Sequence, residues 1–539
     1  MKYTVTEEDK TLFSQGTLEY KYRLSVMNKS GAIIDVLYCI LQVGTYGING
    51  ESNIRRTLDA TIDFDEFAID IEDKIEGWYG LDFKFEIGIY SIRNNDFIWY
   101  PAGTYVITAA NTTYNSATNT LIISLSDHFA QLDGTRNGQV GGAPLIKIPV
   151  DNDSGKKTIL REALSTVLRQ QGGVENMIIE DIGEFYGMES NNADYEEYRK
   201  NNPEWNVLPY DLEFDAGCTV GDQVDEITGL YPNIQKYFDV YDIFCCNMIP
   251  SCENDPVALS DDFLQEIVLS DNAESVTYDI ENIKNVTEVF GTTYEVDRMA
   301  EAEQCTSNGD IYSLTLDEYD KYTIGEYIAF IANVNNVDNM KLRINSLDPV
   351  PIYFENTERG VTANTMLATQ TYVLQLKKVD DAWRFYWLGQ YQPHAICVLT
   401  DTDNDPVYTK QYFCDRYNCK NVVLRIEPDS PFTIQKIGIV LDVKTGDRYD
   451  DIKSDTVAIE NAIYENIKTS SWNDVVTLTT MCVPWLDVYE KVSWKKANSD
   501  DLNEYVIQSI SHSLSSTVPT TTITMYRFHP LYYDYEIPY

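Results

Sequence analysis

The chain has 539 residues, of which 43% are hydrophobic and 39 are tyrosines, and its 85 Asp and Glu residues against 41 Lys and Arg residues give a formal net charge of −44. A protein that reads DNA sequence carries a basic stripe, so this composition excludes sequence-specific nucleic-acid binding. The acidic excess serves either solubility or a surface past which DNA slides without binding, and composition alone favours solubility.

Neither a signal peptide nor a membrane span is predicted. The first residues lack an apolar core, and no run approaches the roughly 20 apolar residues that cross a bilayer. Ile33–Val43 comes nearest, but it is short and contains Asp35, and we interpret it as a buried strand. The ten cysteines follow no regular framework, which predicts free thiols and synthesis in a reducing cytosol.

Residues 1–155 are predicted to form strands. Phe83–Tyr90 alternates apolar and polar side chains, which is the period of a half-buried strand. Asn94–Asp96 separates two apolar runs and is predicted to form a hairpin turn. The other predicted strands of this region are Ile33–Val43, Thr57–Phe64, Tyr105–Thr108 and Thr120–Leu125.

Residues 156–275 mix helices with irregular segments. Apolar residues recur at helical spacing within Lys156–Gln171 and within Thr219–Leu230. Asn176–Asn206 is polar, acidic and aromatic, and is predicted to be a loop. Tyr237–Phe244 is predicted to be a hairpin, and the chain returns to strand at residues 278–295.

The last two regions are again rich in predicted strands. Within residues 296–395 these are Ile311–Leu316, Leu342–Leu347, Thr371–Leu376 and Trp383–Gly389. Residues 396–539 contain one strong helix, Ser454–Lys468, which either Ser454 or Asp455 caps. The chain then forms two strands and a turn over Tyr505–Tyr532, a hairpin that we expect to close a sheet.

Several segments resemble phage tail-associated hub proteins, which sit where the tail tube meets the baseplate or tip. The strands Ser509–Ser516 and Thr520–Phe528, followed by His529–Tyr532, carry the resemblance at one end. The further matching segments are Ser52–Thr57, Ile87–Tyr90, Trp99–Ile107, Ser126–Gly134, Tyr237–Phe244 and Ala458–Lys491. Residues 296–395 resemble a small β-module of phage tail and fibre proteins, although Ser346–Pro349 replaces its usual Gly- and Ala-rich stretch.

This resemblance implies a fold and a division into domains. The chain would be mainly β with some helix (α+β), and would contain two β-barrel domains of the tail-tube type. Residues 1–155 would form the first barrel, and residues 276–295 together with 396–539 would form the second. Residues 156–275 would be a helical and mixed insertion, and residues 296–395 an inserted small β-module.

The resemblance also implies a structural virion protein at the tail tip or baseplate, made in the host cytoplasm. It would be a homotrimer that joins a six-fold tail tube to three-fold tip components and forms a channel for DNA. Its implied neighbours are distal tail or tube proteins above, tip, spike or fibre proteins below, and the tape measure protein. DNA would only pass through the channel.

One group of residues contains zinc-ligand types. His394 and Cys397 are followed by Cys414 and Cys419. Thiolates and imidazoles are the ligands that Zn²⁺ prefers, but this spacing is not that of a standard finger or ribbon. We interpret these cysteines as structural residues of a sheet.

A second group contains the oxygen ligands that calcium prefers. Asp401, Asp403 and Asp405 alternate along a short segment. However, Pro406 stands where an EF-hand requires Gly, and Tyr412 stands where it requires a bidentate Glu. We interpret the segment as an acidic turn.

The sequence predicts no enzyme and no cofactor, and it assigns no catalytic, cofactor-binding or metal residue. It contains no nucleophile elbow, zinc-protease or P-loop motif. His128 is predicted to pack or to cap, and His512 and His529 to be structural. Because the hairpin ends close to Tyr539, we expect no wall-degrading domain after it. The alternative function is a tail protein that binds or degrades glycans, through an exposed aromatic groove in residues 296–395.

Overall fold

The computed structural model describes a chain of two compact units. The described residues are 3–15, 17–37, 40–63, 77–108, 113–141, 145–149, 158–180, 208, 211–230, 234–250, 252, 254–269, 274–279, 281–292, 294–295, 302–316, 319–354, 360–379, 382–388, 390–419, 421–452, 455–471, 473–497, 499–514 and 518–529. The first unit consists of residues 1–228, 233–280 and 472–539, and the second of residues 229–232 and 281–471.

Strands dominate both units, as expected for a mainly β chain with some helix. Those before residue 281 are β1 (Tyr20–Met27), β2 (Ile33–Leu37), β3 (Ile40–Asn49), β4 (Arg56–Asp63), β5 (Asp82–Ser91), β6 (Asp96–Ile107), β7 (Thr113–Asn115), β8 (Thr120–Asp127), β9 (Leu145–Ile148), β10 (Met177–Ile179), β11 (Leu212–Asp215), β12 (Ile234–Phe238), β13 (Phe244–Met248) and β14 (Glu274–Asp279). Those of the second unit are β15 (Val286–Phe290), β16 (Tyr294–Glu295), β17 (Glu303–Gln304), β18 (Thr306–Asn308), β19 (Ile311–Leu314), β20 (Tyr327–Ile331), β21 (Lys341–Ile344), β22 (Val350–Phe354), β23 (Thr371–Val379), β24 (Ala382–Leu388), β25 (Gln390–Tyr391), β26 (His394–Thr400), β27 (Val422–Ile426) and β28 (Leu441–Lys444). The last are β29 (Asn473–Met481), β30 (Lys491–Lys495), β31 (Leu502–Leu514) and β32 (Thr520–Arg527).

The helices are short and few in the described part of the chain. The α-helices are Glu7–Thr11, Leu160–Gln170, Val220–Gly229, Asp261–Ile267, Lys410–Tyr417, Ile434–Ile437 and Asp455–Thr469, and the 3-10 helices are Leu12–Ser14, His128–Gln131 and Asp447–Asp451. The three helices predicted from apolar spacing are present, within a few residues of their predicted ends. Among the described residues, no helix is both long and apolar enough to span a membrane.

The first unit is built on one large sheet that joins the two ends of the chain. Its strand order is β14-β29-β32-β31-β3-β4-β8-β6-β5-β1-β2, with β30 added to β31 and β7 to β8. The junction is the antiparallel pair β3–β31, in which Ile48 lies opposite Ile510. Side chains from both ends of the chain, such as Leu24, Ile62 and Met525, belong to a single hydrophobic core. The sheet therefore curls around one core that neither end could fill by itself.

This pairing differs from the division into domains predicted from the sequence. Residues 1–155 and 472–539 share the large sheet, whereas residues 396–471 belong to the second unit. The hairpin β31–β32 was expected to close a sheet. It instead lies inside the large sheet, between β29 and β3. The alternating pattern of a strand shows which side chains face a core, but does not show which strand lies beside it.

Two local predictions are also corrected. The segment Ile33–Val43 is not a single buried strand: β2 lies at the end of the sheet, and Ile33 and Ile34 are each 56% exposed. The predicted loop 176–206 begins with β10, which pairs in parallel with β13. The prediction for residues 181–206 lies outside the described residues, as does the end of the closing segment at Tyr532. The predicted hairpin at Tyr237–Phe244 is confirmed by the antiparallel pair β12–β13.

The second unit contains two main sheets. Eight strands in the order β17-β20-β23-β24-β22-β21-β19-β18 form one sheet between residues 303 and 388. A four-stranded mixed sheet, β27-β26-β15-β28, packs against the helix Asp455–Thr469. Gly291 allows the chain before this helix to pass close to β15, since a Cβ atom there would lie 2.3 Å from the carbonyl oxygen of Ile452.

Candidate functional site

Arg56 occupies the centre of a buried polar cluster in the first unit. It begins β4, and its side chain is only 1% exposed. Nη2 donates to Oδ2 of Asp487 at 2.7 Å, and Nη1 donates to the carbonyl oxygen of Phe238, also at 2.7 Å. The backbone N–H of Arg56 donates to Oδ2 of Asp127 at 2.9 Å. One residue thus connects β4, the end of β12, the end of β8 and the loop before β30.

Burial and pairing determine the charges in this cluster. Burial alone would lower the pKa of Arg56, but the neighbouring Asp487 carboxylate raises it above its ordinary value, so the guanidinium is charged. Burial raises the pKa of Asp127 to about 6, although the backbone N–H groups of Arg56 and Phe129 partly offset this effect. Asp127 therefore titrates closer to neutral pH than an ordinary aspartate.

Arg55 points to a second set of partners beside the first. Its guanidinium lies 3.7 Å from the ring centre of Tyr237 and 5.6 Å from that of Tyr489. Nη2 donates to the carbonyl oxygen of Gly50 at 3.1 Å and to Oε1 of Gln235 at 2.9 Å. Burial removes water from the guanidinium and lowers the pKa of Arg55. The two aromatic faces and the two oxygens take the place of that water around the charge.

We call Arg55, Arg56, Asp127 and Asp487 the arginine cluster. Arg55 and Arg56 belong to the matching segment Ser52–Thr57, and the other two residues belong to segments that also resemble the hub proteins. The sequence analysis did not single out any of these four residues. The only sequence signal was a pair of adjacent arginines before a strand in a strongly acidic chain, and the partners are too distant in sequence to be found by spacing.

His128 forms an ion-pair triad near this cluster. Nδ1 lies 2.5 Å from Oδ1 of Asp242, and Nε2 lies 3.1 Å from Oδ1 of Asp82. Burial alone would lower the pKa of His128, but the hydrogen bonds to Asp242 and Asp82 raise it to about 10, so the ring is protonated at neutral pH. His128 was predicted to pack or to cap. The N-cap of the 3-10 helix His128–Gln131 is instead Asp127, whose side chain accepts from the N–H of Phe129.

A cleft of about 750 Å³ opens beside the triad. The triad supplies part of its lining, together with Lys29, Tyr79 and Arg136. The cleft also borders the turns at Gly134–Gly138 and Gly172–Gly173. This is a polar cleft with charges of both signs, not an apolar pocket.

The residues of the candidate zinc group make other contacts. Nε2 of His394 lies 2.8 Å from Oε1 of Glu288, and its ring stacks on Phe290 at 4.2 Å. Sγ of Cys419 donates to the backbone carbonyl of His394. Burial raises the pKa of Cys397 to about 12, so this thiol is protonated. Within the described ranges, no group of three His, Cys, Asp or Glu residues could hold a metal ion.

The three aspartates of the candidate calcium group each contact different partners. Oδ1 of Asp405 accepts from the N–H groups of Val407 and Tyr408 at 2.8 Å, as in an acidic turn. Asp401 pairs with Lys436 at 3.6 Å, and Asp403 accepts from the side chain of Asn404.

His512 is enclosed in the core of the first unit, where its ring stacks on Tyr46 and Nδ1 lies 2.8 Å from the hydroxyl of Thr521. Burial lowers the pKa of His512 to about 3.

The outer face of the large sheet carries a row of hydroxyl side chains. Thr522 lies opposite Thr479 and Ser511, and Gly47 lies between Ser511 and Thr57. A parallel row contains Thr524 and Ser509. We call Thr57, Ser509, Ser511, Thr522 and Thr524 the hydroxyl face. These five side chains line a groove of about 340 Å³.

Comparisons with known proteins match one family model and several solved structures. A family model described as a domain of unknown function, DUF5048, matches residues 429–532. No curated protein sequence matches the chain. The chain is similar in structure to a 43 kDa tail protein of prophage MuSo2 from Shewanella oneidensis, with 9% identity, a TM-score of 0.44, and coverage of 95% of this chain and 99% of that chain.

Two further solved structures are similar to the chain over nearly its whole length. A tail protein from Neisseria meningitidis has 7% identity and a TM-score of 0.43, with coverage of 95% of this chain and 99% of that one. The prophage tail protein gp18 from Listeria monocytogenes has 7% identity and a TM-score of 0.39, with coverage of 94% of each chain. All three of these structures are described as tail proteins.

We predict that Arg56→Met destabilises the protein strongly. The substitution leaves the Asp487 carboxylate buried without its ion-pair partner, which should cost about 3–5 kcal/mol of unfolding free energy. Denaturation by urea, followed by tryptophan fluorescence, measures this loss.

The exposed Arg93 provides the matched control, since Arg93→Met should change stability by less than about 0.5 kcal/mol. The double variant Arg56→Met with Asp487→Asn should recover part of the loss, because no carboxylate charge then remains unpaired. Equal stabilities of the Arg56→Met and Arg93→Met variants would show that the pair does not hold the fold together.

We predict that the stabilisation provided by His128 depends on pH. The pKa is raised in the folded state to about 10, against about 6.5 in an unfolded chain. The stabilisation that His128 provides is therefore fully present below about pH 6.5 and declines as pH rises towards 10. The difference in melting temperature between the wild type and His128→Gln, measured from pH 6 to pH 11, should shrink accordingly.

The variant Asp242→Asn is the control for this pH dependence. It removes one of the two carboxylates that raise the pKa of His128, so the stabilisation by His128 should be smaller at pH 6 and should be lost at a lower pH than in the wild type. A constant difference between wild type and His128→Gln across the whole range would contradict a protonated ring in the folded state.

Proposed function

We propose that the chain is a structural virion protein, the central hub of a phage baseplate or tail tip. The observation that carries this proposal is the convergence of the hub-like segments on the arginine cluster. Segments that are far apart in sequence supply Arg56, Asp127, Phe238 and Asp487 to one buried network. The resemblance therefore lies in residues that hold a fold together, which is what an architectural role requires.

In this proposal three copies assemble around the tail axis. They join a six-fold tail tube to three-fold tip components, with distal tail proteins on one side and spike or fibre proteins on the other. The tape measure protein and the DNA pass through the resulting channel.

The hydroxyl face is suited to the wall of such a channel. Its five side chains are polar but uncharged, and the chain as a whole has a net charge of −44. Arg55 lines the same groove, but it is only 3% exposed and its charge faces Tyr237. A DNA phosphate that slides along this face therefore finds hydrogen-bonding groups and few cations to hold it.

The alternative, a glycan-binding or glycan-degrading tail protein, requires an exposed aromatic groove in residues 296–395. Many of the described aromatic rings of this module are internal. Tyr312, Phe330 and Phe385 are fully buried in its core, and Tyr386 is 6% exposed. Rings that pack against one another stabilise a module but are not available for stacking on a sugar, which favours the hub proposal.

We predict that positive charge on the hydroxyl face slows DNA ejection. Phage particles that carry Ser511→Lys and Thr522→Lys should eject DNA more slowly than wild type, because each lysine binds phosphates in exchange for counterions. The delay should shrink as the salt concentration rises. Ejection triggered in vitro and followed with a DNA-binding dye measures the rate.

The matched control is Gln304→Lys with Thr306→Lys, two exposed positions of the module in the second unit that add the same charge. These particles should eject DNA at the wild-type rate. Equal rates for the hydroxyl-face variant and the control would show that this face does not line the DNA path.

We also predict that the purified protein is a trimer. Light scattering coupled to size-exclusion chromatography should give three times the chain mass of 61.6 kDa. A stable dimer or tetramer would contradict three-fold assembly. A peripheral position of the labelled protein in phage particles would favour the glycan-binding or glycan-degrading alternative. The two measurements separate the oligomeric state from the place in the virion.

A further inference from the structure

Arg136 is held by a rigid loop at the wall of the 750 Å³ cleft. The N–H of Arg136 donates to the carbonyl of Ala130 at 2.9 Å, and that of Gly134 donates to the carbonyl of Asn137 at 2.8 Å. Gly138 has a φ of +109°, and a Cβ atom there would lie 2.3 Å from the carbonyl oxygen of Leu132. Only glycine fits this position, so the loop presents Arg136 in a fixed place.

The Arg136 guanidinium has an aromatic neighbour instead of a carboxylate. Its central carbon lies 4.4 Å from the ring centre of Tyr79. Nη1 is buried and has no hydrogen-bond partner, and no ion pair involves Arg136, within the part of the chain that the structure describes. A planar guanidinium stacked on a ring keeps its N–H groups directed sideways, in the fork that binds an oxyanion.

This lack of a carboxylate partner is informative in such an acidic chain. Acidic residues outnumber basic ones by 85 to 41, so a carboxylate partner is easily supplied where only neutralisation is needed. Arg23, for example, pairs with Glu86 at 2.6 Å, and Arg448 pairs with Glu465. Arg136, like Arg55, has no ion pair within the part of the chain that the structure describes, and it lies at the wall of the 750 Å³ cleft.

The other charges of the cleft are arranged around this arginine. Lys29 lines the same cleft and is exposed. Asp82 and Asp242 are occupied by the protonated ring of His128, which leaves Glu175 as the further carboxylate of the lining. Two cations therefore face the cleft in addition to His128, and Tyr79, which is 52% exposed, offers an apolar surface beside them.

We propose that this cleft binds a ligand through an oxyanion group, either a carboxylate or a phosphate. The guanidinium of Arg136 binds two oxygens of that group, and Lys29 adds a further charge from the rim. The part of the ligand next to the anion packs on Tyr79. Such a site would be separate from the hydroxyl face, and it gives the protein a binding activity besides its structural role.

The test measures the melting temperature of the full-length protein in sodium phosphate, sodium acetate and sodium chloride at equal ionic strength. A ligand that binds only the folded state should raise the melting temperature of a chain of this size by roughly 2–4 °C at about 100 times its dissociation constant. We expect this rise with phosphate, acetate or both, relative to chloride. The anion that gives the larger rise identifies which of the two groups the natural ligand carries.

Variants locate the effect. Arg136→Gln should abolish the rise, Arg136→Lys should reduce it because the fork is lost, and Arg93→Gln should retain it with the same change in net charge. Tyr79→Ala, at an exposed position, should weaken binding while leaving the fold in chloride unchanged. The proposal is overturned if neither oxyanion raises the wild-type melting temperature, or if Arg136→Gln shows the wild-type rise.

Discussion

The buried ion pair between Arg56 and Asp487 is the contact on which the first unit depends. A buried charge is costly unless a partner of opposite charge is held in the right place. Here the partner comes from the far end of the chain, and the same guanidinium also binds the carbonyl of Phe238. Three distant segments must therefore reach their native positions together, because any of them alone would leave a charge without compensation.

The position of Arg56 also determines what the sheet offers to its surroundings. A shift of the register by one residue would exchange the two faces of every strand. With Arg56 fixed at the start of β4, Leu58 and Ala60 face the core, and Thr57 faces outwards beside Ser511 and Thr522. The apolar interior and the neutral polar exterior are thus two consequences of a single constraint.

Local features of this protein could be predicted from its sequence, and distant ones could not. The spacing of apolar residues located the helix Asp455–Thr469, and the turn before β13 was found from its composition. The same patterns did not show that β3 pairs with β31, or that Ile33 is exposed at the end of the sheet. The partners of Arg56 and His128 escaped prediction for the same reason, since the type of a side chain does not identify a carboxylate partner that is 46, 114 or 431 residues away.

The pairing of β3 with β31 has a consequence for synthesis on the ribosome. Ile48 emerges long before Ile510, its partner across the strands, and at about 5–20 residues per second this delay is of the order of a minute. During that time β3 lacks its neighbour, and a free strand edge is prone to pair with other chains. The large sheet of the first unit is therefore completed only after nearly the whole chain has been synthesised.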